Sequence, residues 1–162
     1  MSEKYKIITY KNKLLYTKSE PVKSINAEIK ELVNDMYKIM YKYNGIGLAA
    51  IQIGVPKRVI IADLSNYEFD NPYIKKINIA LINPEIIETS QREEIDTEGC
   101  LSVPRKRLDI KRAFWIVVKG YTLDEKEIQM KLYDLTARVI QHEIDHLNGI
   151  TILERDIKKE GK

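Results

Sequence analysis

The sequence predicts an α+β fold, read as one domain over residues 1–162. Three observations predict it. An apolar stripe at helical spacing lies near the N-terminus, a second lies near the C-terminus, and the chain between them carries runs rich in branched residues. A chain of 162 residues can bury one sizeable core but not two comfortable ones.

The first helix follows Ser24 and Asn26, either of which can cap it, and its inward stripe is Ile29, Leu32, Val33, Met36, Ile39 and Met40. Asn44 and Gly45 stop it. The runs RVIIADL (58–64) and NIALINPEII (78–87) read as strands, separated by SNYEFDNPYIKKI, a polar and aromatic surface excursion. RAFWIVVKGYTLDEKEIQMKLY reads as a hairpin, with strands from about Phe114 and about Glu127 and a turn near Asp124 to Lys126. The second helix is expected from about Leu135 to Asn148, with Asp134 as N-cap and Gly149 in the left-handed position past its end.

Composition narrows the class. Apolar residues make up 44% and charged residues 31%, as in a soluble globular chain. Lys and Arg total 27 against 24 acids, and a net charge of +3 is too slight to argue for direct nucleic-acid binding. The segment MSEKYKIITYKNKLLY breaks its apolar residues with lysines and tyrosines, so it does not read as a signal peptide, and no run approaches a membrane span. A single cysteine, Cys100, agrees with a reducing cytosol, so the expected location is cytoplasmic with no membrane partner.

Both histidines of the chain fall in QHEIDHLNG, four positions apart on the second helix. Leu135, Val139, His142 and His146 follow at steps of four, three and four, so the imidazoles continue the inward stripe. At about 100° per residue, positions four apart differ by only about 40° around the axis, and two rings can converge on one ion. Glu143 lies beside His146, three residues before it. His-Glu-x-x-His thus offers two neutral nitrogens for a metal and a carboxylate for the proton of a metal-bound water. The bland alternative is a pair of satisfied core histidines and a solvated glutamate.

A catalytic metal needs a third protein ligand. A histidine six residues after His146 would supply it in one class, but Ile152 stands there; another class uses a later glutamate, and Glu154 and Glu160 are the glutamates that follow. Cys100, in EGCLS, is the remaining strong ligand for zinc or ferrous iron. It reads alternatively as a small buried hydrophobe, or as a nucleophile activated by a histidine. GIGLAAIQIG, residues 45–54, lacks the spacing of a nucleotide loop and reads by itself as a helix stop leading into a tight turn and strand.

Together GIGLAAIQ, EGCLS and QHEIDHLNG resemble the three signature motifs of the peptide deformylases, in order, over essentially the whole chain. The resemblance implies antiparallel β-sheets packed around a central metal-binding helix, with the N-terminal helix on the outside. It implies Cys100, His142 and His146 as metal ligands, Glu143 as general base and acid, and Gln52 with the backbone N–H of Leu101 as donors to the oxyanion. Metal-bound hydroxide would attack the formyl carbon of an N-formylmethionyl nascent peptide and release formate. The backbone of Gly45, Ile46 and Gly47 would line the peptide's path, with Ile46, Leu135 and Val139 around the methionine side chain. Arg107 matches a position at the cleft mouth and would meet a substrate carboxylate or carbonyl, unless it is an ordinary solvated arginine. The implied metal is Fe(2+), with Zn(2+), Ni(2+) or Co(2+) compatible.

Two departures stand out. Many bacterial relatives continue into a long C-terminal helix that docks on the ribosome, whereas here LERDIKKEGK follows the second helix, which puts ribosome contact by that route in doubt. The excursion near residues 65–78 is also longer than the compact pattern. The rival readings are a zincin-like endopeptidase with Glu154 as third ligand, and a non-catalytic formyl-peptide binder on the same scaffold.

Overall fold

A computed structural model describes residues 4–72 and 74–159. Helix α1 spans Ala27–Lys42, and the Asn26 side chain accepts from the Ile29 N–H at its start. Its buried residues are Ile29, Leu32, Val33, Met36, Ile39 and Met40, the predicted stripe. Asn44, at φ +55°, ends it: the Asn44 N–H donates to Tyr41 O and the Gly45 N–H to Met40 O, so two carbonyls that would otherwise lack donors are satisfied.

The chain then lays down β1 (Gly47–Ala49), a 3-10 turn (Ala50–Ile53), β2 (Val59–Asp63) and β3 (Asn78–Thr89). After β4 (Glu93–Cys100) and β5 (Val103–Ala113) come β6 (Trp115–Tyr121), β7 (Glu127–Tyr133), α2 (Asp134–Leu147) and α3 (Ile152–Arg155). The strands form a five-stranded sheet, β1-β2-β3-β6-β7, and a separate β4–β5 hairpin, with every pairing antiparallel. In β3, Asn83 and Pro84 together oppose Gly120 of β6. This bulge suits a proline that cannot donate to the ladder and an asparagine at φ +52°.

α1 lies on the outside, its stripe packed against Leu48, Val59, Ile61 and Ile82 of the large sheet. α2 is central, between β1 and β2 of that sheet and β5 of the hairpin. Ala137, Ile140, Ile144 and Leu147 join Ile60, Leu81, Ile116 and Leu132 in the main core. The fold is the predicted α+β arrangement.

The structure corrects several sequence expectations. β4 and β5 were not expected as strands. Their apolar residues are sparse among charges, so no hydrophobic alternation announces them. Tyr133, not Asp134, occupies the N-cap position of α2, without a side-chain cap bond; Asp134 is the first helical residue at φ +53°. α2 is also buried around most of its girth rather than along one stripe, because sheet and hairpin enclose it. The excursion after β2 forms neither helix nor strand among its described residues, yet it buries Ile74 and Ile77 and its Lys75 carbonyl accepts from Thr136 Oγ1. Glu160 lies outside the described residues.

Candidate active site

The site forms where α2 faces the end of the hairpin. Cys100 is the last residue of β4 and pairs with Val103, so Leu101 and Ser102 make a two-residue turn beside the sulfur. The Cys100 Sγ lies 3.3 Å from His146 Nε2, which lies 3.3 Å from His142 Nε2. Among the described residues these three form the group suited to a metal, with all ligand atoms within 4.8 Å of one another. Three lone-pair atoms this close repel unless a proton or cation lies among them. A tetrahedral ion with bonds of about 2.1–2.3 Å would hold its ligands about 3.4–3.7 Å apart, and the two separations of 3.3 Å fall just short of that range, so a small opening of the trio would admit one.

Glu154 is engaged elsewhere: its Oε2 accepts from both the N–H and the hydroxyl of Thr151, closing the cap of α3. It therefore does not complete the histidine pair, against the endopeptidase reading.

Glu143 is 4% exposed, and its Oε2 has no hydrogen-bond partner among the described residues. Burial pushes its carboxyl up to about 7, against the attraction of His142. Gly47 lies against it: a Cβ there would sit 2.5 Å from Glu143 Oε1 and 2.9 Å from Val139 Cγ1. The close approach of β1 to α2 at this point requires glycine.

Gln52, in the 3-10 turn after β1, is fixed at both ends of its amide. Its Oε1 accepts from the Ala49 N–H at 2.9 Å, and its Nε2 donates to Ser102 Oγ at 3.2 Å and toward Cys100 Sγ at 3.6 Å. Gly45 approaches Leu101 closely, with 3.2 Å between an added Cβ and Leu101 Cδ1, so the first two motifs meet here. Ile46, Leu135 and Val139 pack in the one core cluster around α2. Arg107 is exposed on β5, paired with Gly99.

A second layer, absent from the sequence reading, surrounds His142. The buried Glu98 carboxylate meets His142 Nδ1 at 2.8 Å, Arg112 Nε and Nη2 at 2.9 Å each, and Arg138 Nη1 at 2.7 Å. Burial alone would raise the Glu98 pKa; the hydrogen bonds of His142 and Arg112 and their charges outweigh it and hold the carboxyl well below the usual range. The two imidazoles are pushed apart: burial drives His146 down, while the Cys100 and Glu98 hydrogen bonds overcome burial and raise His142. A cation would compete with the proton on His142. The available signal was the glutamate two positions before Cys100; the arginines, in a charged strand and on a helix, gave none.

The family model described as polypeptide deformylase matches residues 4–162. The chain belongs to that family. It is 47% identical over 146 residues to the peptide deformylase of Dictyoglomus thermophilum, covering 90% of this chain and 88% of that protein. The peptide deformylase of Ehrlichia chaffeensis, solved in complex with actinonin, matches with a TM-score of 0.87 at 37% identity, over 92% of this chain and 86% of that one. The Met-Ala-Ser-bound peptide deformylase of Acinetobacter baumannii matches with a TM-score of 0.85 at 34% identity, over 96% and 99%. As a polypeptide deformylase the chain is a hydrolase that removes the formyl group from N-formylmethionine peptides.

Proposed function

We propose that this deformylase works with one divalent cation held by Cys100, His142 and His146, with Glu143 moving the proton and Gln52 with the Leu101 N–H receiving the developing charge. The observation that carries this reading is the 3.3 Å approach of Cys100 Sγ to His146 Nε2, itself 3.3 Å from His142 Nε2. A bound cation supplies Lewis acidity, lowering the pKa of a coordinated water toward neutrality and polarising a carbonyl. Burial raises the Glu143 carboxyl and a bound cation would draw it down again, so beside the cation Glu143 takes the water's proton and delivers it to the leaving amine. The Gln52 amide is held by Ala49 and Ser102, and its second Nε2 hydrogen, now aimed at the weak acceptor Cys100 Sγ 3.6 Å away, is the one it would give to the formyl oxygen.

The backbone of Gly45, Ile46 and Gly47, at the edge of the large sheet, is suited to receive the peptide as an added strand. Ile46, Leu135 and Val139 would receive the methionine side chain, and Arg107 would meet the peptide at the cleft mouth. A formyl group carries hydrogen where other acyl groups carry carbon, so a tight wall excludes acetyl peptides. Fe(2+) is the leading metal, with Zn(2+), Ni(2+) and Co(2+) as alternatives. Nascent peptides as substrate imply a cytoplasmic setting and transient ribosome contact; no described helix is long and apolar enough to cross a membrane.

The test is anaerobic purification, metal analysis and release of formate from formyl-Met-Ala-Ser. One iron per chain with formate released is expected; no formate at full iron loading would overturn the reading.

A further inference from the structure

The geometry points to Asp145 and Arg155 as a positioning pair that steadies His142 from outside the site, through Arg112 and Glu98. This inference rests on the proposed metal reading. Asp145 sits on α2 between the two histidines but on its flank, and is 8% exposed. Arg155, on α3, grips it with a two-pronged contact: Nε to Oδ2 at 3.0 Å and Nη2 to Oδ1 at 2.8 Å. The same Oδ2 accepts from Arg112 Nη1 at 2.5 Å, and Arg112 turns its other two nitrogens to Glu98, which holds His142 Nδ1. Charges alternate along this chain, so each buried ion is neutralised by its neighbours.

Arg155 is placed rather than draped. α3 begins directly after the stop at Gly149 and carries a closed cap, with Thr151 Oγ1 accepting from the Leu153 N–H and Glu154 reaching back to Thr151. Ile152 is buried against Val103 and Ile110, and Asp156 bridges to Ile110. With the Arg155 side chain 46% exposed, its ion pair would ordinarily contribute little. Its partner, however, is a buried carboxylate that also orients Arg112. Without Arg155, Asp145 keeps only Arg112 and draws it from Glu98, loosening the ring that Glu98 fixes.

The test uses full-length protein loaded with cobalt(II), whose visible bands report the ligand geometry, and measures cobalt release to excess EDTA. Direct partners of a ligand typically change metal affinity 10–100-fold; this pair, further out, should speed release about threefold to tenfold in Arg155→Met and Asp145→Asn, with shifted bands. The double variant should be no worse than Asp145→Asn alone, since both act through one contact. Arg155→Lys, which keeps the charge but loses the fork, should fall between. Wild-type bands and release in the Arg155 variants, whatever their melting temperatures, would overturn the pair alone. If Arg155→Met does not fold, Arg155→Lys decides by the same criterion. A wild-type protein that takes up no cobalt with a thiolate band would overturn both the metal reading and this inference.

Discussion

Glu143 combines burial, one oxygen without a hydrogen-bond partner among the described residues and a carboxyl that burial pushes up to about 7. Replacing it with alanine should therefore lower kcat about 10²- to 10⁴-fold while metal content stays near one per chain. A non-catalytic binder would be indifferent to that change, so formate assay and metal analysis on one preparation separate the two. Gly47→Ala tests the same carboxylate from the other side. Its methyl would meet Glu143 Oε1 and Val139 Cγ1, and turnover should fall at least about tenfold with a melting temperature shifted by only a few degrees. At this scale the sequence was legible where residue type is rare and spacing is local: two histidines at one helical step, one cysteine. Glu98 was marked only by its place two before Cys100, and Arg112, Arg138 and Asp145 were not legible, because charged residues are usually solvated and their convergence depends on the hairpin folding back over α2.

The helix stops were readable because they follow local stereochemistry. Gly149 takes φ +75° with its N–H on His146 O, and the Ile150 N–H on Asp145 O completes the stop. An added Cβ would lie 2.6 Å from Tyr16 O. Gly149→Ala should therefore destabilise by about 1–3 kcal/mol, read as a lowered denaturation midpoint with unchanged slope. The hairpin was missed for the opposite reason. Its strands face solvent with charges and are stabilised by pairing such as Thr97 Oγ1 to Asp109 Oδ1, and by α3 and α2 beneath, none of which leaves an alternating apolar pattern. The α2 cap was misplaced because Asp134 is a good capping residue by type, yet the chain enters the helix directly from β7.

Across the whole molecule, the buried ions tie stability to pH. The Glu98 carboxyl lies below its ordinary value of 4.5 when folded, so its contribution is fully present above that pH and is lost as the solution is acidified toward the folded pKa. Glu98→Gln leaves Arg112 and Arg138 short of a counter-charge and should cost about 3–5 kcal/mol near neutrality. The gap in melting temperature between wild type and variant should narrow as pH falls from 5 to about 3. Two of the three convergent donor atoms belong to the central helix and the third to the tip of a thinly packed hairpin, separated by some forty residues of chain. A shared ion is then a cross-link as well as a reagent. Stripping it should leave backbone amides of the large sheet as slow to exchange with deuterium as before, while those of β4 and β5 near Cys100 exchange faster.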